Sequence, residues 1–129
     1  MGVVVDNAYT HKLLGCAYNV HSALGPGLLE SVYEAALVYE LQSQGFEVKH
    51  QVPVKINYKE VELDMDLRLD VIVDNSVILE LKSVTDILPV HHKQLLTYMR
   101  LSNIKLGYII NFNVDSLRDG IERVINGYL

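Results

Sequence analysis

The segment DVIVDNSVILELKSV, residues 70–84, reads as two β-strands joined by a tight turn. Val71 and Val73 share one alternation before the turn, and Val77, Leu79 and Leu81 share one after it, which is the period of two of a strand. Asp74, Asn75 and Ser76 form the turn, where Asn75 tolerates a left-handed backbone. A three-residue loop sets Val73 opposite Val77, and counting outward sets Asp70 opposite Glu80. Directly opposed residues have Cβ atoms about 5 Å apart. Two carboxylates at about that distance repel by roughly 3 kcal/mol at an effective dielectric of about 20. Lys82 lies two residues further on the same face as Glu80. One reading makes Asp70, Glu80 and Lys82 part of a solvated face that Glu62, Asp64, Asp66 and Arg68 begin. Against it, Ile72 and Ile78 put apolar side chains beside both carboxylates, which suits a partly covered cleft. A divalent cation between the carboxylates would turn the repulsion into binding. Magnesium takes a few carboxylates together with water and phosphate oxygens. Lys82 would then orient or deprotonate a water, or stabilise charge on a phosphate.

Working outward, the strand before the turn extends back over residues 61–73, after a reversal near Lys59 and Glu60. An alternating run over residues 46–58 forms another strand, with Pro53 marking an edge or a bend. Upstream, three- and four-residue spacings predict helices over residues 9–24 and 28–44, separated by Gly25-Pro26-Gly27 and closed by Gly45. Downstream, Pro89 precedes a helix over residues 90–102, a strand follows over residues 105–113, and a last helix spans residues 116–125. The expected fold is α/β: a mixed four-stranded sheet flanked by helices. Three of its strands form an antiparallel meander, and the fourth returns parallel after a helical crossover.

A chain of 129 residues, half of them hydrophobic, fits one domain over residues 1–129. The longest uncharged run, residues 13–29, contains Asn19, His21, Gly25, Pro26 and Gly27 and lacks the content of a membrane span. The first residues have neither the basic start nor the apolar core of a secretory signal, and Asp6 stands where a myristoylation signal has Ser or Thr. A single cysteine, Cys16, excludes an internal disulfide and a cysteine-based zinc site, and is expected in the core. Together these features lead to the expectation of a cytoplasmic protein without a membrane partner. The net charge of −5 speaks against a broad non-specific nucleic-acid surface. It does not exclude a nucleic-acid enzyme, because a bound metal reverses the local charge.

Asp70, followed on the next strand by Glu80-Leu81-Lys82, resembles the D…(D/E)xK signature of the PD-(D/E)xK nuclease superfamily. The segment VHSALGPGLLESVYEAAL, residues 20–37, contains Gly27-x-x-Glu30-x-x-Tyr33 and is similar to the hallmark of the GxxExxY proteins, a small branch of that superfamily. ELKSV, LPVHHKQLLTYMRL and GYIINFN match later segments of the branch in order, so the resemblance covers residues 20–113. It departs at Leu69, where the superfamily name has Pro, and at Glu60, a turn position where the branch often has Gly.

The resemblance implies a restriction-endonuclease-like core and a Mg²⁺-dependent nuclease, with Mn²⁺ as a substitute and nucleic acid as partner. Asp70 and Glu80 become metal ligands together with the backbone carbonyl of Leu81, and Glu30 supports the metal directly or through water. Lys82 becomes the catalytic lysine. Gln94 and Tyr98 resemble a Q-x-x-x-Y pair whose spacing sets both on one helix face. His91, one turn earlier, and Arg68 are candidates for substrate contact. Glu30, Gln94 and the strand pair are expected to converge, with both helices on the face of Ile72 and Ile78. The alternative is a nuclease-fold binding or assembly module without turnover, acting with a partner protein that supplies the substrate contacts; a homodimer or a partner protein is expected in either case.

Overall fold

The computed structural model describes residues 3–63 and 66–127. Its helices start and stop where local chemistry dictates. Helix α1, Asn7–Leu24, opens with the Asp6 side chain accepting from the Tyr9 N–H at 2.9 Å and ends at Gly25 with a left-handed φ of 71°. Helix α2 covers Glu30–Ser43, and α3 covers Pro89–Ser102, with Pro89 in its first turn and left-handed Asn103 at its end. The strands are β1 Val48–Pro53, β2 Ile56–Tyr58, β3 Val61–Leu63, β4 Arg68–Val73, β5 Val77–Lys82, β6 Leu106–Asn111 and β7 Ile121–Ile125.

Among the described residues the main sheet has five strands in the order β1-β4-β5-β6-β7. Antiparallel β1, β4 and β5 form the meander, β6 returns parallel to β5 after α3, and β7 closes the edge antiparallel to β6. Each face of this sheet carries a core. Val71, Val73, Val77, Leu79 and Leu81 pack against Leu13, Ala17, Tyr33, Leu37 and Leu41 of α1 and α2, where Cys16 is also buried. Ile72, Ile78 and Ile109 pack against Leu95, Tyr98 and Met99 of α3. The turn between β4 and β5 has Asp74 and Asn75 both left-handed at φ 52°. The Asp74 carboxylate accepts from the Glu47 N–H and the Tyr9 hydroxyl, tying the turn to α1.

Three expectations are corrected. The last helix is a 3₁₀ turn, Leu117–Gly120, leading into β7, so the sheet has five strands and not four. Five residues such as Ile121-Glu122-Arg123-Val124-Ile125 suit either period, and the open edge of β6 decides for the strand. Secondly, the two long strands are broken. Among the described residues β2 and β3 pair only with each other, in a separate ribbon past Pro53, while β1 and β4 stay in the main sheet. Part of the expected strand, Asp64 and Met65, lies outside the described residues, and with it the expected solvent-facing position of Asp64. Thirdly, α2 lies on the face opposite α3, not beside it over Ile72 and Ile78.

Gly120 sets the geometry of the turn into β7. A Cβ there would overlap the backbone carbonyl oxygen of Asn111, which cannot yield as a side chain would. Gly120→Ala is expected to destabilise the protein by about 2–3 kcal/mol, read as a lower urea midpoint at unchanged slope. An unchanged midpoint would show that β7 docks without this close approach.

Candidate active site

The β4–β5 ladder pairs Val73 with Val77, Ile72 with Ile78 and Val71 with Leu79 and ends there; just past its last rung Asp70 and Glu80 meet through their side chains. Each carboxylate is held by the neighbouring strand's backbone. The Asp70 N–H donates to Glu80 Oε1 at 3.3 Å, and the Leu81 N–H donates to Asp70 Oδ2 at 2.8 Å. Glu80 is only 7% exposed. Burial, and then the charge of Asp70, push its carboxyl up to about 8. Asp70 is raised as well, chiefly by burial; the bond from Leu81 opposes this, and the charges of Glu34 and Glu30 add to it. Lys82 ends β5, half-buried, and its charge lowers both carboxyls. Among the described residues its amine makes no ion pair.

Glu30 opens α2 and reaches the site across the end of the sheet. Its Oε2 accepts from the Ser83 N–H at 3.4 Å, one residue beyond Lys82. It lines a cleft with Ser31, Glu34, Gln51, Asp70 and Leu81. On the other face, Gln94 Nε2 donates to the Tyr98 hydroxyl at 3.1 Å. Burial raises the Tyr98 phenol above its usual range, and the negative charge of Glu80 raises it further, so this end of α3 lies within electrostatic reach of the pair. The two remaining candidates are engaged elsewhere. His91 Nδ1 accepts from the Leu88 N–H and caps α3. Arg68 pairs with Asp66 at 2.9 Å and donates to the Gln51 carbonyl.

Two cleft residues escaped the sequence reading. Glu34 stands one turn after Glu30 on the same helix face, a spacing that could have drawn attention to it. Gln51 lies opposite Asp70 in the β1–β4 register, between the pairs His50–Val71 and Val52–Leu69. Its φ of 51° breaks the ladder there, and its side-chain amide donates to Glu34 Oε1 at 2.6 Å. No sequence signal announces a left-handed glutamine inside a strand.

The donor chemistry fits a hard divalent cation: two adjoining carboxylates, of which one is largely buried, with further carboxylates at the cleft mouth. Among the described residues no three His, Cys, Asp or Glu side chains gather closely enough to hold a metal unaided. A cation at this pair would therefore take its remaining ligands from backbone carbonyl, water or substrate oxygens. No helix among the described residues is long and apolar enough to cross a membrane. A family model described as the PD-(D/E)XK nuclease superfamily matches residues 7–124. Comparison with curated proteins and with solved structures gives no match.

The shifted carboxyl predicts how stability responds to pH. Between about pH 5 and 8 the unfolded chain has lost the Glu80 proton while the metal-free folded protein keeps it. The folded state binds more protons there, so stability falls as pH rises, by at most about 1.4 kcal/mol per pH unit from this group. Urea unfolding in chelator from pH 5 to 8 should show that decline, and Glu80→Gln should flatten it and be the more stable protein at pH 8. A wild-type curve that is level or rising across the window would show that Glu80 ionises in the folded protein as readily as in the unfolded chain.

Proposed function

Because the chain belongs to the PD-(D/E)XK nuclease superfamily, we propose that it is a metal-dependent nuclease that hydrolyses phosphodiester bonds of DNA or RNA. The observation that carries this reading is the Asp70–Glu80 pair, brought together on adjacent strands just past the last rung of the β4–β5 ladder and flanked by an amine, Lys82, without an ion-pair partner among the described residues. A fold with no use for two opposed carboxylates could relieve them by one substitution. We further assign the chain to the GxxExxY branch, on Gly27, Glu30 and Tyr33.

In this reading Asp70 and Glu80 would hold Mg²⁺, or Mn²⁺ in its place, and the Leu81 carbonyl and waters would supply further oxygens. Glu30 supports the site from the cleft mouth, directly or through water. The cation, when bound, removes the repulsion between the carboxylates, polarises the phosphate and acidifies water. Lys82, as a cation, orients the attacking water or neutralises charge growing on the phosphate oxygens. Gln94 and Tyr98, already hydrogen-bonded to each other, orient Lys82 or the substrate from α3. Access for nucleic acid is past the exposed Glu30 and Gln94.

Metal binding and chemistry separate in two variants. Glu80→Gln should lower Mg²⁺ affinity and cleavage together. Lys82→Ala removes a cation beside the metal, so affinity should hold or rise slightly, while cleavage falls ~10²-fold or more. The measurements are calorimetric Mg²⁺ or Mn²⁺ titration and cleavage of a panel of labelled DNA and RNA. Wild-type cleavage by Lys82→Ala, with Glu80→Gln inactive, would reduce Lys82 to a strand residue. A wild-type protein that binds the panel but cuts none of it would make this a nuclease-fold binding module.

A further inference from the structure

The loop between α1 and α2 is held by bonds that no local helix signal explains. Helix α2 begins without a side-chain cap, since Leu29 occupies that position. The loop before it carries two left-handed glycines, Gly25 at φ 71° and Gly27 at φ 94°. Left to itself, such a segment has many conformations. Here the Leu28 peptide is gripped on both sides. Its N–H donates to the Tyr33 hydroxyl at 3.1 Å, and that hydroxyl donates in turn to the Gly25 carbonyl at 2.6 Å. The Leu28 carbonyl accepts from Ser83 Oγ at 2.6 Å. Tyr33 itself is fully buried, its ring stacked on Phe112 at 4.4 Å and 5°.

We infer that Tyr33 and Ser83 are positioning residues that together clamp the Leu28 peptide and so set Glu30 at the mouth of the cleft. Glu30 follows Leu28 by two residues, and the amide of the same Ser83 donates to its carboxylate. Ser83 in turn follows Lys82 directly, so one residue couples the start of α2 to the end of β5. Gly27, Glu30 and Tyr33 then form one device: a left-handed loop, the carboxylate it delivers, and the phenol that fixes the loop one helical turn later. The bland reading makes Tyr33 a core aromatic only. That accounts for the ring on Phe112 but not for a buried hydroxyl bonded to both sides of the loop. The inference rests on the reading of Glu30 as a site carboxylate.

Tyr33→Phe keeps the stacked ring and removes the hydroxyl, and Ser83→Ala removes the second grip. Each should fold, by circular dichroism, and lose about tenfold in Mn²⁺-supported cleavage, the scale of a modest misplacement of a site group. Ser83→Thr, which restores a hydroxyl, should recover most of the loss. The deciding comparison uses Glu30→Gln. In that background Tyr33→Phe should cause no further loss, because the carboxylate it positions is gone. Equal losses in both backgrounds, or wild-type cleavage by Tyr33→Phe, would overturn the clamp while leaving the nuclease reading intact. Should Tyr33→Phe fail to fold, Ser83→Ala and Ser83→Thr in the two backgrounds decide in the same way. Wild-type cleavage by Glu30→Gln, or no cleavage by any protein including the wild type, would remove the functional reading of Glu30 and the clamp with it.

Discussion

The antiparallel register of β4 and β5 is the constraint on which the rest depends. A three-residue turn, with Asp74 and Asn75 both left-handed, leaves one pairing of the two strands, and Asp70 and Glu80 meet just past its last rung. A slip of one residue would move every side chain of one strand to the other face. The apolar sets on both faces forbid it: Val71, Val73, Val77 and Leu79 serve one core, and Ile72 and Ile78 the other. The hydrophobic effect thus holds in place a carboxylate pair that electrostatics alone would separate. Backbone amides of Asp70 and Leu81 lower the two carboxyls, yet burial, and for Glu80 also the charge of Asp70, leaves both shifted upward.

What surrounds the pair approaches from three directions. α3 brings Gln94 and Tyr98 over the face that Ile72 and Ile78 share. α2, on the opposite face, contributes Glu30 and Glu34 from its first turns at the sheet's end. Beyond Lys82, Asn111 uses its whole side-chain amide on the chain, accepting from the Val84 N–H at 3.1 Å and donating to the Val84 carbonyl at 2.9 Å. The segment leaving β5 is therefore tied to β6 as well as to the loop before α2. Lys82 sits between these anchors, which leaves its position set by backbone while its amine stays without an ion pair among the described residues.

The strand pair, its turn and the α3 crossover were legible in the sequence, because each rests on a local period or a turn residue. The pairs from Val73–Val77 to Val71–Leu79 follow from counting outward from Asp74-Asn75-Ser76. What was not legible depends on contacts remote in the chain. β7 forms because β6 offers an open edge, a fact that residues 121–125 do not carry themselves. The face that α2 takes is decided by Tyr33, Leu37 and Leu41 meeting Val71 and Leu79, and helical periodicity cannot say which side of a sheet its stripe will find. Gln51 adopts a backbone that glutamine alone would avoid, so only its neighbours Glu34 and Arg68 account for it.

The ribbon of β2 and β3, strands that among the described residues pair only with each other, is joined to the sheet at Pro53 and Arg68. Its turn, at left-handed Lys59 and Glu60, lies at the far end of that ribbon. Residues added in pairs at this turn would lengthen both arms and leave the β1–β4 register, and hence Asp70, undisturbed. The ribbon is therefore the part of this molecule where length can drift between descendants at little cost to the chemistry. A two-stranded unit is marginal on its own, so such drift would be bounded by the anchoring of Val54, Ile56 and Leu67 in the α3-side core.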